Sequence, residues 1–171
     1  EGLKKHKLEQ QIEQLLIDIN QLMSTYIEDS ELSSFNRWQS VEPFPMSLQT
    51  LEVLSEAKRL GAMSAGLLDV TVGPLVNLWG FGPQSRPDKT PTDELINSTL
   101  QQVGLDKLLI GPSWASKTQT NLYVDLSTIA KGCAVDRLAE LLQTYKINNF
   151  LVEIGGEMRL SGIKASGTPW K

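Results

Sequence analysis

The sequence predicts an α+β fold in which helices mix with short, mainly antiparallel strands. Three observations carry this. Apolar residues recur at steps of three and four along residues 8–26 and again along 129–142, each time marking one face of a helix. Short apolar runs at 107–110, 122–126 and 150–154 read as strands. These elements do not follow a regular strand–helix–strand repeat, as a parallel sheet would require. With 171 residues, 40% of them apolar, the chain has the usual size of one domain and enough material for a core.

The first helix is defined by Leu8, Ile12, Leu15, Leu16, Ile19, Leu22, Met23 and Tyr26, a stripe of about six turns. Tyr26 stands where it meets the polar loop 27–36, whose Asp29, Ser30, Ser33, Ser34 and Asn36 are turn and cap residues. A second helix starts near Ser47, with Leu48, Leu51, Leu54 and Leu60 inward and Gly61 as its stop. Residues 65–83 hold four glycines and two prolines. They break regular structure, yet are too apolar for a solvent loop. Thr90, Pro91 and Asp93 suit a helix cap, first position and capping-box acid, with the helix running to about Val103. Lys107–Ile110 and Leu122–Leu126 are expected to pair as strands across a polar loop. A helix buries Ile129, Cys133, Ala134, Leu138, Leu141 and Leu142. The strand Phe150–Ile154 turns through Gly155-Gly156 into a returning strand over Met158–Ile163, because both glycines tolerate positive φ.

Charge and composition exclude several functions. The net charge of −4 and the absence of a clustered basic face argue against nucleic acid. A single cysteine, Cys133, allows no internal disulfide and reads as a small core residue. The lone histidine, His6, excludes two-histidine zinc sites within the chain. Within these residues no run is apolar and long enough to span a bilayer, and none reads as a signal peptide. The chain opens inside a helix pattern and stops after a hairpin strand, so a portion of a longer protein, truncated at both ends, is expected.

Chemistry concentrates at VDLSTIAKGCAVD, residues 124–136. Here a strand is expected to run into a helix. Helix-start N–H groups, the hydroxyls of Ser127 and Thr128 and the amine of Lys131 can hold a phosphate or pyrophosphate. Asp125 beside them can accept hydrogen bonds from a ribose or a base, and backbone carbonyls at such a turn suit a hard cation. An ordinary junction with a serine cap fits the same residues. Asp69 and Thr71, in the apolar Gly/Pro-rich segment, are either a capped turn or a ligand site, since a buried acid needs a partner or a ligand.

Taken in series, MSTYIEDSELSSFN (23–36), LLDVTVGPLVNLWGFGP (67–83), VDLSTIAKGCAVDRLAELL (124–142) and EIGGEMRLSG (153–162) resemble the successive signatures of the ApbE family of bacterial flavin transferases, also described as thiamine-biosynthesis lipoproteins. The resemblance covers nearly the whole chain. It implies an ApbE-type fold, present here as one incomplete FAD-binding portion. It also implies a protein that uses Mg2+, cleaves FAD, releases AMP and attaches FMN to a threonine hydroxyl of a target flavoprotein. Members are typically exported and held at the periplasmic face of the inner membrane by a lipid anchor.

By the same resemblance Tyr26 lines the flavin site, with Ser30, Ser33 and Asn36 shaping its loop. Leu67, Leu68 and Asp69 contact FAD, followed by Thr71. Asp125, Lys131, Gly155 and Gly156 complete the cofactor set, and Thr128 is a metal position, in some members through its carbonyl. The family's TMGT-type strand, further acidic metal ligands and catalytic histidine have no counterpart here, so no catalytic residue is assigned. Two alternatives stand beside the transferase: an FAD pyrophosphatase yielding FMN and AMP, and a flavin-binding module without catalysis.

Overall fold

A computed structural model describes residues 2–82 and 90–170. In chain order the elements are α1 (Gly2–Met23), α2 (Glu31–Arg37), β1 (Phe44–Pro45), α3 (Leu48–Met63), α4 (Gly73–Leu78), α5 (Asp93–Leu100), β2 (Leu108–Ile110), β3 (Trp114–Lys117), α6 (Ala130–Thr144), β4 (Phe150–Ile154) and β5 (Glu157–Ser161). The fold is α+β with small antiparallel sheets. Residues 21–128 form one compact unit. Residues up to 20, together with those from 129 on, form another. Among the described residues no helix is long and apolar enough to cross a membrane.

In the unit of residues 21–128, β3 lies between β1 and β2. Its buried side chains include Leu32, Phe35, Leu54, Ala57, Val70, Leu108, Leu122, Val124 and Leu126. Each large one contributes roughly 1.5–3 kcal/mol on burial, so together they hold the connecting segments that carry few ladder bonds.

Here the structure departs from several expectations. The loop 27–36 contains α2. Ser30 caps it by accepting the Ser33 N–H at 3.0 Å, and Leu32 and Phe35 bury one face. Residues 65–83 are not wholly irregular, because Pro74 sits in the first turn of α4, where a missing N–H costs nothing. Gly61 does not stop α3. The helix runs on to Met63, and a Cβ at Gly61 would stand 2.2 Å from Leu105 Cδ1, so this glycine admits a neighbour instead. Leu48 faces solvent at 66% exposure, whereas Ser47 caps α3 as expected. The cap of α5 is Thr92 rather than Thr90, and the helix ends at Leu100. The Thr92 hydroxyl accepts the Leu95 N–H, placing Pro91 just outside.

Residues 122–126 are extended but belong to neither sheet; β2 pairs with β3 instead. Leu122, Val124 and Leu126 are buried while Tyr123 and Asp125 between them are half-buried, as in a strand. Their backbone is met by single partners on each side rather than by a ladder. The Asn36 side chain takes Val124, and the Val70 carbonyl accepts the Asp125 N–H at 2.7 Å.

In the other unit, α6 packs against the β4–β5 hairpin and buries Ala134, Val135, Leu138 and Ala139, with Cys133 half-buried. The hairpin turns at Gly155 (φ 58°) and Gly156 (φ 100°), the expected two-residue turn with both residues left-handed. Arg159 on β5 reaches Asp136 on α6 at 3.0 Å.

Candidate functional site

Two short turns in the unit of residues 21–128 share one geometry. In Asp69-Val70-Thr71, Asp69 Oδ1 accepts the Thr71 N–H at 2.7 Å and the Thr71 hydroxyl at 2.6 Å. In Asp125-Leu126-Ser127, Asp125 Oδ1 accepts the Ser127 N–H at 2.8 Å and the Ser127 hydroxyl at 2.5 Å. These are turns closed by an Asp side chain, a conformation this residue favours because its short carboxylate reaches the backbone two residues on. The Asp125 N–H to Val70 carbonyl bond joins one turn to the other. Each Asp commits Oδ1, and neither Oδ2 accepts a hydrogen bond among the described residues. Two half-buried acids therefore stand on adjacent backbone, each oriented by one oxygen with the other left for a donor.

The rest of the neighbourhood is fixed from within. Thr71 is fully buried, and its hydroxyl also accepts the Gly104 N–H at 2.7 Å, tying the first turn to the segment before β2. Ser30 and Ser33 both donate their hydroxyls to the Ser24 carbonyl, at 2.6 and 3.2 Å. They brace the loop that carries Tyr26, whose side chain is 68% exposed. Asn36 spends both ends of its amide on Val124. Ser30, Ser33 and Asn36 thus shape the site rather than face it. Leu68 is half-buried and its N–H bonds the Ser64 hydroxyl, while Leu67 is 91% exposed.

Two residues that the sequence did not single out belong here. Gly73, buried at the start of α4, leaves room for Tyr123: a Cβ there would stand 2.5 Å from the ring and 3.4 Å from Asp125 Cβ. The Tyr123 phenol is held above its ordinary pKa, first by burial and further by Asp125 and Tyr26, while the neighbouring Thr25 and Asn77 side chains pull the other way. Thr25 Oγ1 lies against it without full hydrogen-bond geometry. Tyr26, Tyr123, Asp125 and the Asp69 turn therefore form one cluster. The signal for Tyr123 was its place between buried Leu122 and Val124, facing the side that carries Asp125.

The seam at 124–136 differs from the expected junction. Ser127 does not cap a helix, because its N–H and hydroxyl both go to Asp125. The helix begins only at Ala130, after Ile129, with no side-chain cap. Thr128 lies exposed on the intervening turn. No group of three or more His, Cys, Asp or Glu side chains able to hold a metal occurs among the described residues. Thr128 offers one hydroxyl and one carbonyl, whereas a hard divalent cation takes six or more oxygens. These residues do not by themselves fit a resident Mg2+.

The remaining predicted residues lie in the other unit. Lys131, on the first turn of α6, pairs with Glu157 of β5 at 3.2 Å, which lowers the Glu157 pKa. Its amine lies 3.3 Å from where a Cβ on Gly155 would stand. Lys131 and Gly155 are thus brought together, and Gly156 closes the turn by donating its N–H to Glu153 at 2.7 Å.

This α+β fold has known counterparts. The chain belongs to the ApbE family, whose model matches residues 2–171. It is 54% identical over 164 residues to the FAD:protein FMN transferase of Vibrio cholerae serotype O1, an alignment covering 96% of this chain and 49% of that protein. The solved flavin transferase ApbE from Vibrio cholerae superposes with a TM-score of 0.94 at 54% identity, over 96% of this chain and 53% of that one. The apo flavinyl transferase ApbE of Pseudomonas stutzeri does so with a TM-score of 0.91 at 35% identity, over 97% and 55%. The chain spans about half the length of the curated relatives it matches.

Proposed function

We propose that the full-length protein carrying this chain is an Mg2+-dependent FAD:protein FMN transferase. The observation that supports the flavin transfer most is the family match across residues 2–171, together with a relative named FAD:protein FMN transferase at 54% identity, while Mg2+ rests on the resemblance alone. In the proposed reaction the phosphoanhydride bond of FAD breaks and AMP leaves. The threonine oxygen of a target flavoprotein bonds to the FMN phosphorus, and the threonine proton passes to a base.

This chain's share is binding and orientation. The free oxygens of Asp69 and Asp125 would accept hydrogen bonds from ribose hydroxyls or base amino groups. Because Thr71 and Ser127 already fix both carboxylates, little orientational freedom is lost on binding. The exposed ring of Tyr26 would lie against the flavin. Leu67 and Leu68 would contribute apolar contact. Lys131, Gly155 and Gly156 keep the FAD-contacting roles that the resemblance implies, and Thr128 would give the metal one oxygen. A divalent cation, bound with ligands beyond those of this chain, would supply charge neutralisation beside the pyrophosphate. On the same resemblance we place the protein at the periplasmic face, held by a lipid anchor outside these residues.

The test combines the full-length protein, FAD, Mg2+ and an acceptor protein with its threonine. Covalent flavin on the acceptor, seen by mass and by in-gel fluorescence, is the expected result. An acceptor left unmodified overturns the transferase reading. If FMN and AMP then accumulate without any acceptor, water is the nucleophile and the protein is an FAD pyrophosphatase.

A further inference from the structure

The ammonium of Lys117, the last residue of β3, is 1% exposed and has no carboxylate partner among the described residues. Its three protons go to backbone carbonyls: Asn36 at 2.9 Å, Trp38 at 3.1 Å and Thr120 at 3.4 Å. The amine also sits 5.0 Å from the centre of the Phe35 ring. Asn36 and Trp38 mark the C-terminal end of α2, where carbonyls lack helical partners and attract a cation. Burying an ammonium without a counter-ion is costly. An apolar side chain would fill the space more cheaply, so the amine serves something other than packing.

What it holds is Asn36. Lys117 fixes the carbonyl of this residue, and the Asn36 amide in turn fixes both backbone groups of Val124. Val124 precedes Asp125, whose N–H meets Val70 in the middle of the Asp69 turn. A continuous series of hydrogen bonds and two peptide links, Val124–Asp125 and Asp69–Val70, therefore runs from the buried amine to both acids.

We infer that Lys117 is a positioning residue, setting Asp125 and the Asp69 turn for FAD through Asn36 and Val124. The inference rests on the FAD reading of those acids. Lys117 touches no ligand itself, and its effect passes through one hydrogen-bonded side chain.

FAD affinity, measured by flavin fluorescence on full-length protein well below its melting temperature, decides the matter. Lys117→Met is expected to weaken FAD binding roughly tenfold or more, a coupling of ordinary size for residues sharing one network. In an Asp125→Ala background the same change should weaken it little further, because the group being positioned is already gone. A purely structural role would lower the melting temperature and add its full effect in either background. Undiminished FAD binding by folded Lys117→Met, or full additivity with Asp125→Ala, overturns the inference. Should Lys117→Met not fold, Asn36→Ala cuts the same series one bond later, and wild-type FAD affinity in that variant overturns it equally. Wild-type protein that binds no FAD refutes the functional reading first, and the inference with it.

Discussion

Asn36 donates its side-chain N–H to the carbonyl of Val124 and accepts the Val124 N–H, both at 2.8 Å. One amide thus replaces a neighbouring strand at a residue that is fully buried. The two residues are 88 positions apart, so the bond pair also pins α2 to the extended segment that carries Asp125. Asn36→Ala leaves a buried donor and a buried acceptor unpaired. Each such group costs about 1–3 kcal/mol, so a loss of about 2–6 kcal/mol is expected in urea unfolding. A loss below about 1 kcal/mol would show that water or a relaxed backbone satisfies Val124 instead.

Lys117 gives a pH prediction whose sign can be worked out. Burial pushes its amine from the ordinary lysine value of 10.5 down to about 8. Between those pH values the unfolded chain holds a proton that the folded protein has released. Stability from this residue therefore rises as pH climbs from about 8 to 10.5, and is least favourable below 8. The rise is at most about 3 kcal/mol, since the three carbonyls favour the charged form and oppose the shift. Comparing wild type with Lys117→Met cancels the other titrating groups. The stability of wild type relative to the variant should grow across that window, and a constant difference refutes the assignment.

These two residues also show what was legible in the sequence. The stripe from Leu8 to Tyr26 and the pair Gly155-Gly156 announced α1 and the hairpin, because helical periodicity and positive φ leave local marks, although α1 ends at Met23 and Tyr26 lies beyond it. The strand β3 left none, since its buried positions include Ser116 and Lys117 and so break the apolar pattern. Leu122 to Leu126 left a misleading mark: alternation reports burial on one side, not the presence of a pairing strand. Asp69, Thr71 and Asp125 stood out as acids and a hydroxyl in apolar surroundings. Their union through Val70 is a contact across more than fifty residues, which no local pattern reports.

Gly73 should be intolerant of a methyl group. A Cβ there would lie 2.5 and 2.7 Å from Tyr123 ring carbons, well inside contact distance. The ring is half-buried, and any movement disturbs Asp125 beside it. Gly73→Ala is expected to cost about 1–3 kcal/mol in unfolding free energy, the usual penalty for overpacking. In a Tyr123→Ala background the added methyl enters vacated space, and the cost should fall close to zero. Equal costs in both backgrounds would place the problem in the backbone of α4 rather than against the ring.

The end of α3 offers the opposite case, a site where glycine is missing. After Ser64 the chain enters the left-handed region at Ala65 (φ 54°) and Gly66 (φ 85°). The Gly66 N–H returns to the Gly61 carbonyl at 2.8 Å and the Ala65 N–H to the Ala62 carbonyl at 3.3 Å, the bond pattern of a Schellman motif. Its first left-handed position is usually glycine, because a Cβ there costs roughly 1–2 kcal/mol. Ala65→Gly relieves that strain but gives the unfolded chain more freedom, worth about 0.4–1 kcal/mol. The net expectation is a gain of up to about 1.5 kcal/mol, read as a higher urea midpoint at unchanged m-value. A lower midpoint would mean that the Ala65 methyl makes a contact worth more than the strain it imposes.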